Sequence, residues 1–187
     1  MELLHAPAVV WVTGLSGAGK STLCRAANDA LLAKGWRTVV LDGDALRQGL
    51  CAGLGFSEQD RAENVRRVAE VAKLFAQVGF VVLVALISPM RQARSRARDL
   101  IEQAQPPCEF IEVYCDAPLE TCQQRDPKGL YAKVAQGLIA EFTGVSAPYE
   151  APTAPQLRLA TGTEGPEQSA QRLLSHVVER LTQRLQG

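Results

Sequence analysis

Gly14-Leu15-Ser16-Gly17-Ala18-Gly19-Lys20-Ser21 satisfies G-x-x-x-x-G-K-[ST] at every constrained position, a pattern whose chemistry is phosphate binding. Glycines let the backbone curl so that successive N–H groups converge on phosphate oxygens, and a helix that follows adds the positive end of its dipole. In such a loop Lys20 reaches the β- and γ-phosphates of a nucleotide and Ser21 holds Mg²⁺. The alternative is a glycine turn that binds nothing. The lysine, the serine and the flanking segments speak against it.

Two further groups carry usable chemistry. Asp42-Gly43-Asp44 with Arg47 places two carboxylates and a guanidinium together, and phosphoryl transfer needs an anchor for Mg²⁺ and a group that orients the acceptor hydroxyl. An ordinary Asp-Gly turn with an Asp helix cap explains the same residues. Further on, Arg61 and Asn64 lie three apart, on one face near the start of a helix, where they could bind an anion. The alternative is that Arg61, Arg66 and Arg67 form surface pairs with Glu63 and Glu70, a reading that suits Arg66 better than Arg61.

These groups need elements to hold them. Ala8–Thr13 is an apolar, β-branched run that ends at the glycine loop, and residues 20–34 have helical apolar spacing at Leu23, Ala26, Ala27, Ala30 and Leu31. Strands are also predicted over 36–42, 80–87, 109–116 and 156–161, alternating with helical stretches, which implies parallel strands joined by right-handed crossovers. The unbroken apolar run from Phe80 to Ile87 suits a strand covered on both faces. The expectation is an α/β three-layer sandwich around a five-stranded parallel sheet, with ligands beyond the carboxyl ends of the strands, where Gly14, Asp42 and Ser88 fall. Ser57 with Asp60 resembles a capping box, so a long helix is predicted to open there and run to about Val78, with Val65, Val68, Ala69, Ala72 and Phe75 as its buried stripe. Ser88 ahead of Pro89 reads equally as a helix cap or a site residue.

Bulk properties narrow the function classes. The 187 residues suit one domain, and 20 basic against 20 acidic residues leave no net charge, which argues against a general nucleic-acid surface. No apolar run is long enough for a membrane helix and no signal-peptide pattern opens the chain, so a cytoplasmic protein is expected. Five cysteines without a C-x-x-C pair are expected to be reduced and packed as small hydrophobes.

Taken together, residues 14–22, Asp42-Gly43-Asp44 with Arg47, 54–67 and Ile87-Ser88-Pro89 resemble adenylyl-sulfate kinase, and the likeness continues through 110–114, 125–131, Phe142-Thr143-Gly144 and 148–152. The resemblance implies a P-loop nucleoside-triphosphatase-like fold, ATP and Mg²⁺ as co-substrate and cofactor, and transfer of the γ-phosphoryl group of ATP to the 3′-hydroxyl of adenosine 5′-phosphosulfate. By the same resemblance Gly14 to Thr22 hold ATP, Asp44 orients or deprotonates the 3′-hydroxyl, and Asp42 holds the metal through water. Arg47, Arg61, Asn64, Ile87, Ser88, Lys128 and Leu130 become substrate contacts, while Phe56 and Phe142 stack on the adenine; the residues alone would make both phenylalanines core aromatics. Residues 125–149 become a lid, and a homodimer and an association with ATP sulfurylase are implied as partners. Ala45 replaces the family's usual Asn, and Ala132 to Ala140 replaces a more basic lid pattern. Another small-molecule P-loop kinase, or a nucleotide-binding regulatory domain without turnover, stands as the alternative.

Overall fold

β1 (Ala8–Thr13) is buried at every residue because strands run on both sides of it and helices cover both its faces. A computed structural model describes residues 5–185 of the chain. It contains β1, α1 (Lys20–Ala33), β2 (Thr38–Asp42), α2 (Gly43–Arg47), α3 (Glu58–Gln77), β3 (Val81–Ala85), α4 (Arg91–Glu102), β4 (Glu109–Cys115), α5 (Leu119–Arg125), α6 (Leu130–Ala135), β5 (Leu157–Leu159) and α7 (Pro166–Gln183). The five strands form one sheet in the order β2-β3-β1-β4-β5, and every pairing is parallel.

Strand alternation divides the core in two. Val10, Val12, Leu83, Ile111 and Val113 face α1 and α7, whereas Val9, Trp11, Val82, Val84 and Phe110 face α3 and α4. The expected three layers are therefore present, and each predicted strand is found with ends trimmed by up to three residues. All five cysteines are buried and unpaired, as small hydrophobes would be. Among the described residues, no helix is long and apolar enough to cross a membrane.

The long helix opens where the capping pattern placed it: the Ser57 hydroxyl accepts from the Asp60 N–H at 3.1 Å. Ser88 is not a cap. The next helix, α4, starts at Arg91 behind Met90, whose side chain offers no cap. Ser88 instead has φ 41°, a left-handed conformation that an L residue adopts only when its surroundings hold it there.

Candidate active site

The glycine loop sits on the carboxyl ends of β1 and β4. At Gly14, φ is 149° and an added Cβ would come within 2.7 Å of the Cys115 carbonyl oxygen. At Gly17, φ is 78° and the Cβ would meet the Cys122 carbonyl oxygen at 2.9 Å. Both approaches are open only to glycine, and they let the loop fold back over α1, whose N-cap Gly19 provides no side-chain cap. The first-turn N–H groups of α1 are thus free of a competing side chain or acidic residue. Lys20 reaches back across the loop and donates to the Gly14 and Leu15 carbonyls at 3.0 and 2.7 Å. Burial strips water from its ammonium group and lowers its pKa. Polyphosphate oxygens would supply the anionic partners that this ammonium group lacks.

A cavity of about 830 Å³ opens beside the loop. Of the residues singled out from the sequence, Ser16 to Thr22, Asp42, Asp44, Arg47, Phe56, Arg61, Asn64, Ile87, Ser88, Lys128, Leu130 and Phe142 all line it. Gly14 and Leu15 lie behind its wall as acceptors for Lys20. Asp42 ends β2 and caps α2, accepting from the Asp44 N–H at 3.1 Å, with Arg25 Nη2 3.5 Å from its other oxygen. Capping and site placement therefore coincide in one residue. Asp44, one position into α2, is exposed and receives a hydrogen bond from Lys128 Nζ.

Arg47 and Arg61 shape the far end of the cavity. Arg47 donates to the Leu54 and Gly55 carbonyls, and its guanidinium carbon lies 4.4 Å from the centroid of the Phe56 ring. Phe56 is 54 % exposed, so it is no core aromatic. Among the described residues Arg61 pairs with no acidic side chain. It donates to the Phe56 carbonyl at 2.7 Å, to Thr143 Oγ1 at 2.7 Å and to the Glu141 carbonyl at 2.8 Å, which brings residues 141–143 beside residue 56. Arg66 and Arg67 do pair with Glu63, and those bonds, Arg66 first, hold its carboxyl down at about 2. Phe142 is buried, edge-on to Tyr131 at 5.0 Å between centroids, while still lining the cavity. Tyr131 in turn donates to the Ser16 carbonyl of the glycine loop at 3.0 Å.

Asn64 Oδ1 is buried without a hydrogen-bond partner in a residue only 5 % exposed, and Thr161 Oγ1, in a second lining residue, is buried and unpartnered too. Leaving such an atom unmatched costs about 1–3 kcal/mol, so a cavity that carries two of them is one that a polar ligand completes.

The comparisons with known proteins decide which ligand. Residues 6–160 match the protein family described as Adenylylsulphate kinase. The chain belongs to the adenylyl-sulfate kinase family. It is 51 % identical over 176 residues to the adenylyl-sulfate kinase of Acaryochloris marina, covering 94 % of this chain and 84 % of that one. To the enzyme of Geotalea uraniireducens it is 53 % identical over 176 residues, covering 94 % and 83 %. The structure of the Mycobacterium tuberculosis APS kinase in complex with AMPPNP and APS superposes with a TM-score of 0.87 at 47 % identity, covering 91 % of this chain and 97 % of that one. As an adenylyl-sulfate kinase, the chain is an ATP-dependent phosphotransferase of sulfate activation.

For an adenylyl-sulfate kinase the donor set fits Mg²⁺. Among the described residues no group of three or more His, Cys, Asp or Glu side chains could enclose a metal, but Mg²⁺ uses one or two protein oxygens and takes the rest from water and phosphates. Ser21 and Asp42, both on the cavity wall, offer oxygens of that kind. Sequence reasoning missed Tyr131, Thr143 and Arg25, whose links to the site cross 115, 82 and 17 residues of chain. The 125–131 and Phe142-Thr143-Gly144 stretches of the family likeness contain Tyr131 and Thr143, and nothing in the sequence pointed to Arg25.

Proposed function

We propose that the γ-phosphoryl group passes directly from ATP to the 3′-hydroxyl of adenosine 5′-phosphosulfate, with Asp44 taking the hydroxyl proton. The bond from phosphorus to the β,γ-bridging oxygen breaks as the bond to the 3′ oxygen forms, and ADP leaves. Lys20 and the N-terminus of α1 hold the transferring group against charge that spreads over its oxygens. Bound Mg²⁺, held by Ser21 and by Asp42 through water, supplies further neutralisation of the phosphates. Arg47, Arg61 and Asn64 orient the phosphosulfate, Ile87, Ser88, Lys128 and Leu130 close round it, and Phe56 and Phe142 take the adenine. The carrying observation is the grouping of these residues round one cavity that already contains the unmatched Asn64 oxygen.

A phosphoserine at Ser88 is disfavoured. Its side chain is 2 % exposed, and its oxygen accepts from Trp11 Nε1 at 3.0 Å and lies within 3.3 Å of Leu86 O and 3.2 Å of Thr13 Oγ1. The reading further takes residues 1–187 as one unit, residues 125–149 as a lid, and the cytoplasm as its compartment, supported by five unpaired cysteines. A homodimer and an association with ATP sulfurylase complete it as extensions of the family likeness. The function is tested by ADP release with adenosine 5′-phosphosulfate, AMP, gluconate and shikimate offered in turn: the first alone should support rapid release, and equal release with another acceptor would overturn the assignment.

The two phenylalanines give a separate prediction. An aromatic face contributes about 1–3 kcal/mol per stacked base, so Phe56→Ala and Phe142→Ala should each weaken acceptor binding about ten- to a hundredfold and leave ATP affinity alone. Titration with adenosine 5′-phosphosulfate in the presence of ADP measures both. Unchanged acceptor affinity in Phe56→Ala would remove it from the adenine site. The same result in Phe142→Ala alone would mean that its contact with Tyr131 is its whole role.

A further inference from the structure

Arg94 carries a buried charge that the chemistry above does not use. It is 3 % exposed on the inner stripe of α4, with Ala97 and Ile101. Its Nε donates to Glu112 Oε1 on β4 at 2.8 Å, its Nη1 to the Ser88 carbonyl at 2.6 Å and its Nη2 to the Glu150 carbonyl at 2.7 Å. Three segments distant in sequence therefore meet on one planar fork. Glu150 strengthens the junction: its N–H donates to the Pro89 carbonyl at 2.9 Å, and its carboxylate accepts the Arg91 N–H at 2.7 Å, at the start of α4. The neighbouring Tyr149 hydroxyl lies 3.0 Å from Thr13 Oγ1. Because Thr13 donates its own proton to the Ile87 carbonyl at 2.6 Å, the tyrosine is the donor in that pair.

A buried ion pair is a poor way to add stability, since desolvation offsets much of the attraction. A rigid fork is a good way to fix two carbonyl groups relative to each other. One of these carbonyls belongs to Ser88, whose φ of 41° relaxes unless it is held. We propose that Arg94 is a positioning residue that clamps the loop 86–89 to residues 149–150, so that acceptor binding depends on it and ATP binding does not. The proposal rests on the reading of Ile87 and Ser88 as acceptor contacts, and it adds a device that sets their geometry. It also fixes the point at which the lid segment, read as 125–149, rejoins the body of the protein.

The test uses Arg94→Lys, which keeps a cation for Glu112 but has no planar fork to hold both carbonyls. Hydrogen exchange at the Arg91 and Glu150 amides reads the clamp without any acceptor, and the KM values for adenosine 5′-phosphosulfate and ATP read its consequence. The expected result is faster exchange at both amides, an acceptor KM raised about tenfold or more, and an ATP KM within about twofold of wild type. Tyr149→Phe removes only the bond to Thr13 and covers the case in which Arg94→Lys does not fold. It should raise the acceptor KM about threefold, again without moving that for ATP. Unchanged exchange in Arg94→Lys, an acceptor KM that stays put, or two KM values that rise together would each overturn the proposal. A wild-type protein inert towards the acceptor would instead overturn the function proposed above, and the exchange readout would still decide whether Arg94 clamps the two segments.

Discussion

Lys20→Ala is expected to lower kcat by about 10²–10³, the scale seen when one preorganised donor to a charge-developing oxygen is removed. The side chain's position supports that size. Its ammonium group is buried under the glycine loop, bonded only to the neutral carbonyls of Gly14 and Leu15, and burial has already lowered its pKa. The ammonium group thus has no anionic hydrogen-bond partner of its own, and its charge is available to an arriving polyphosphate. Alanine leaves two carbonyl oxygens facing phosphate instead of a cation. Steady-state kinetics at saturating ATP and acceptor provide the check, with circular dichroism to confirm folding. A loss of less than about threefold would remove Lys20 from the transfer step.

Asp44→Asn should cost on the order of 10²–10⁴ in kcat with little change in the KM for ATP. Asn keeps the shape of the side chain and loses the basic oxygen, so the defect belongs to proton transfer. Asp44 is exposed on the cavity wall with Lys128 on its carboxylate, whereas Asp42 is half-buried, capping α2. That difference separates the two carboxylates: Asp44 stands in the open cavity with Lys128 as its partner, as the proposed proton acceptor must, and Asp42 is fixed in place by the Asp44 N–H. A parallel loss of ATP affinity in Asp44→Asn would assign Asp44 to the metal instead, and near-normal turnover would deny it any part in the reaction.

How much of this was legible in the sequence depends on whether a signal is local. β1 and β3 are apolar runs buried at every residue, and β4 keeps the buried positions Phe110, Ile111, Val113 and Cys115 between the half-buried Glu109, Glu112 and Tyr114. β5 shrinks to Leu157–Leu159 because it pairs with only one neighbour, over three positions of β4. α2 hides inside Asp42-Gly43-Asp44, where turn chemistry and a five-residue helix look alike. Site residues in compact motifs were found for the same reason, since the glycine loop and the 54–67 block carry their geometry in their spacing. Tyr131, Thr143 and Arg94 act across the fold through hydrogen bonds between distant segments, which leave no periodic trace. Arg94 did leave one sign: it falls on the same stripe as Ala97 and Ile101, and an arginine on a buried stripe must have partners. It was masked by Arg91, Arg96 and Arg98 around it.

Residues 132–140 and Ala45 depart from the family pattern, and the structure shows what lies around them. Phe142 reaches the cavity despite the unusual 132–140 stretch because Tyr131 packs against it and Arg61 holds residues 141 and 143. That end of the cavity wall is thus built from segments far apart in the chain. The claim on which everything else depends is that this site phosphorylates one hydroxyl of one nucleotide. It is tested most directly by incubating the purified protein with MgATP and adenosine 5′-phosphosulfate and locating the new phosphate by phosphorus NMR. The account predicts a single product phosphorylated at the ribose 3′ oxygen, with one ADP formed for each. ADP formed without that product, or a phosphate at any other position, would contradict it.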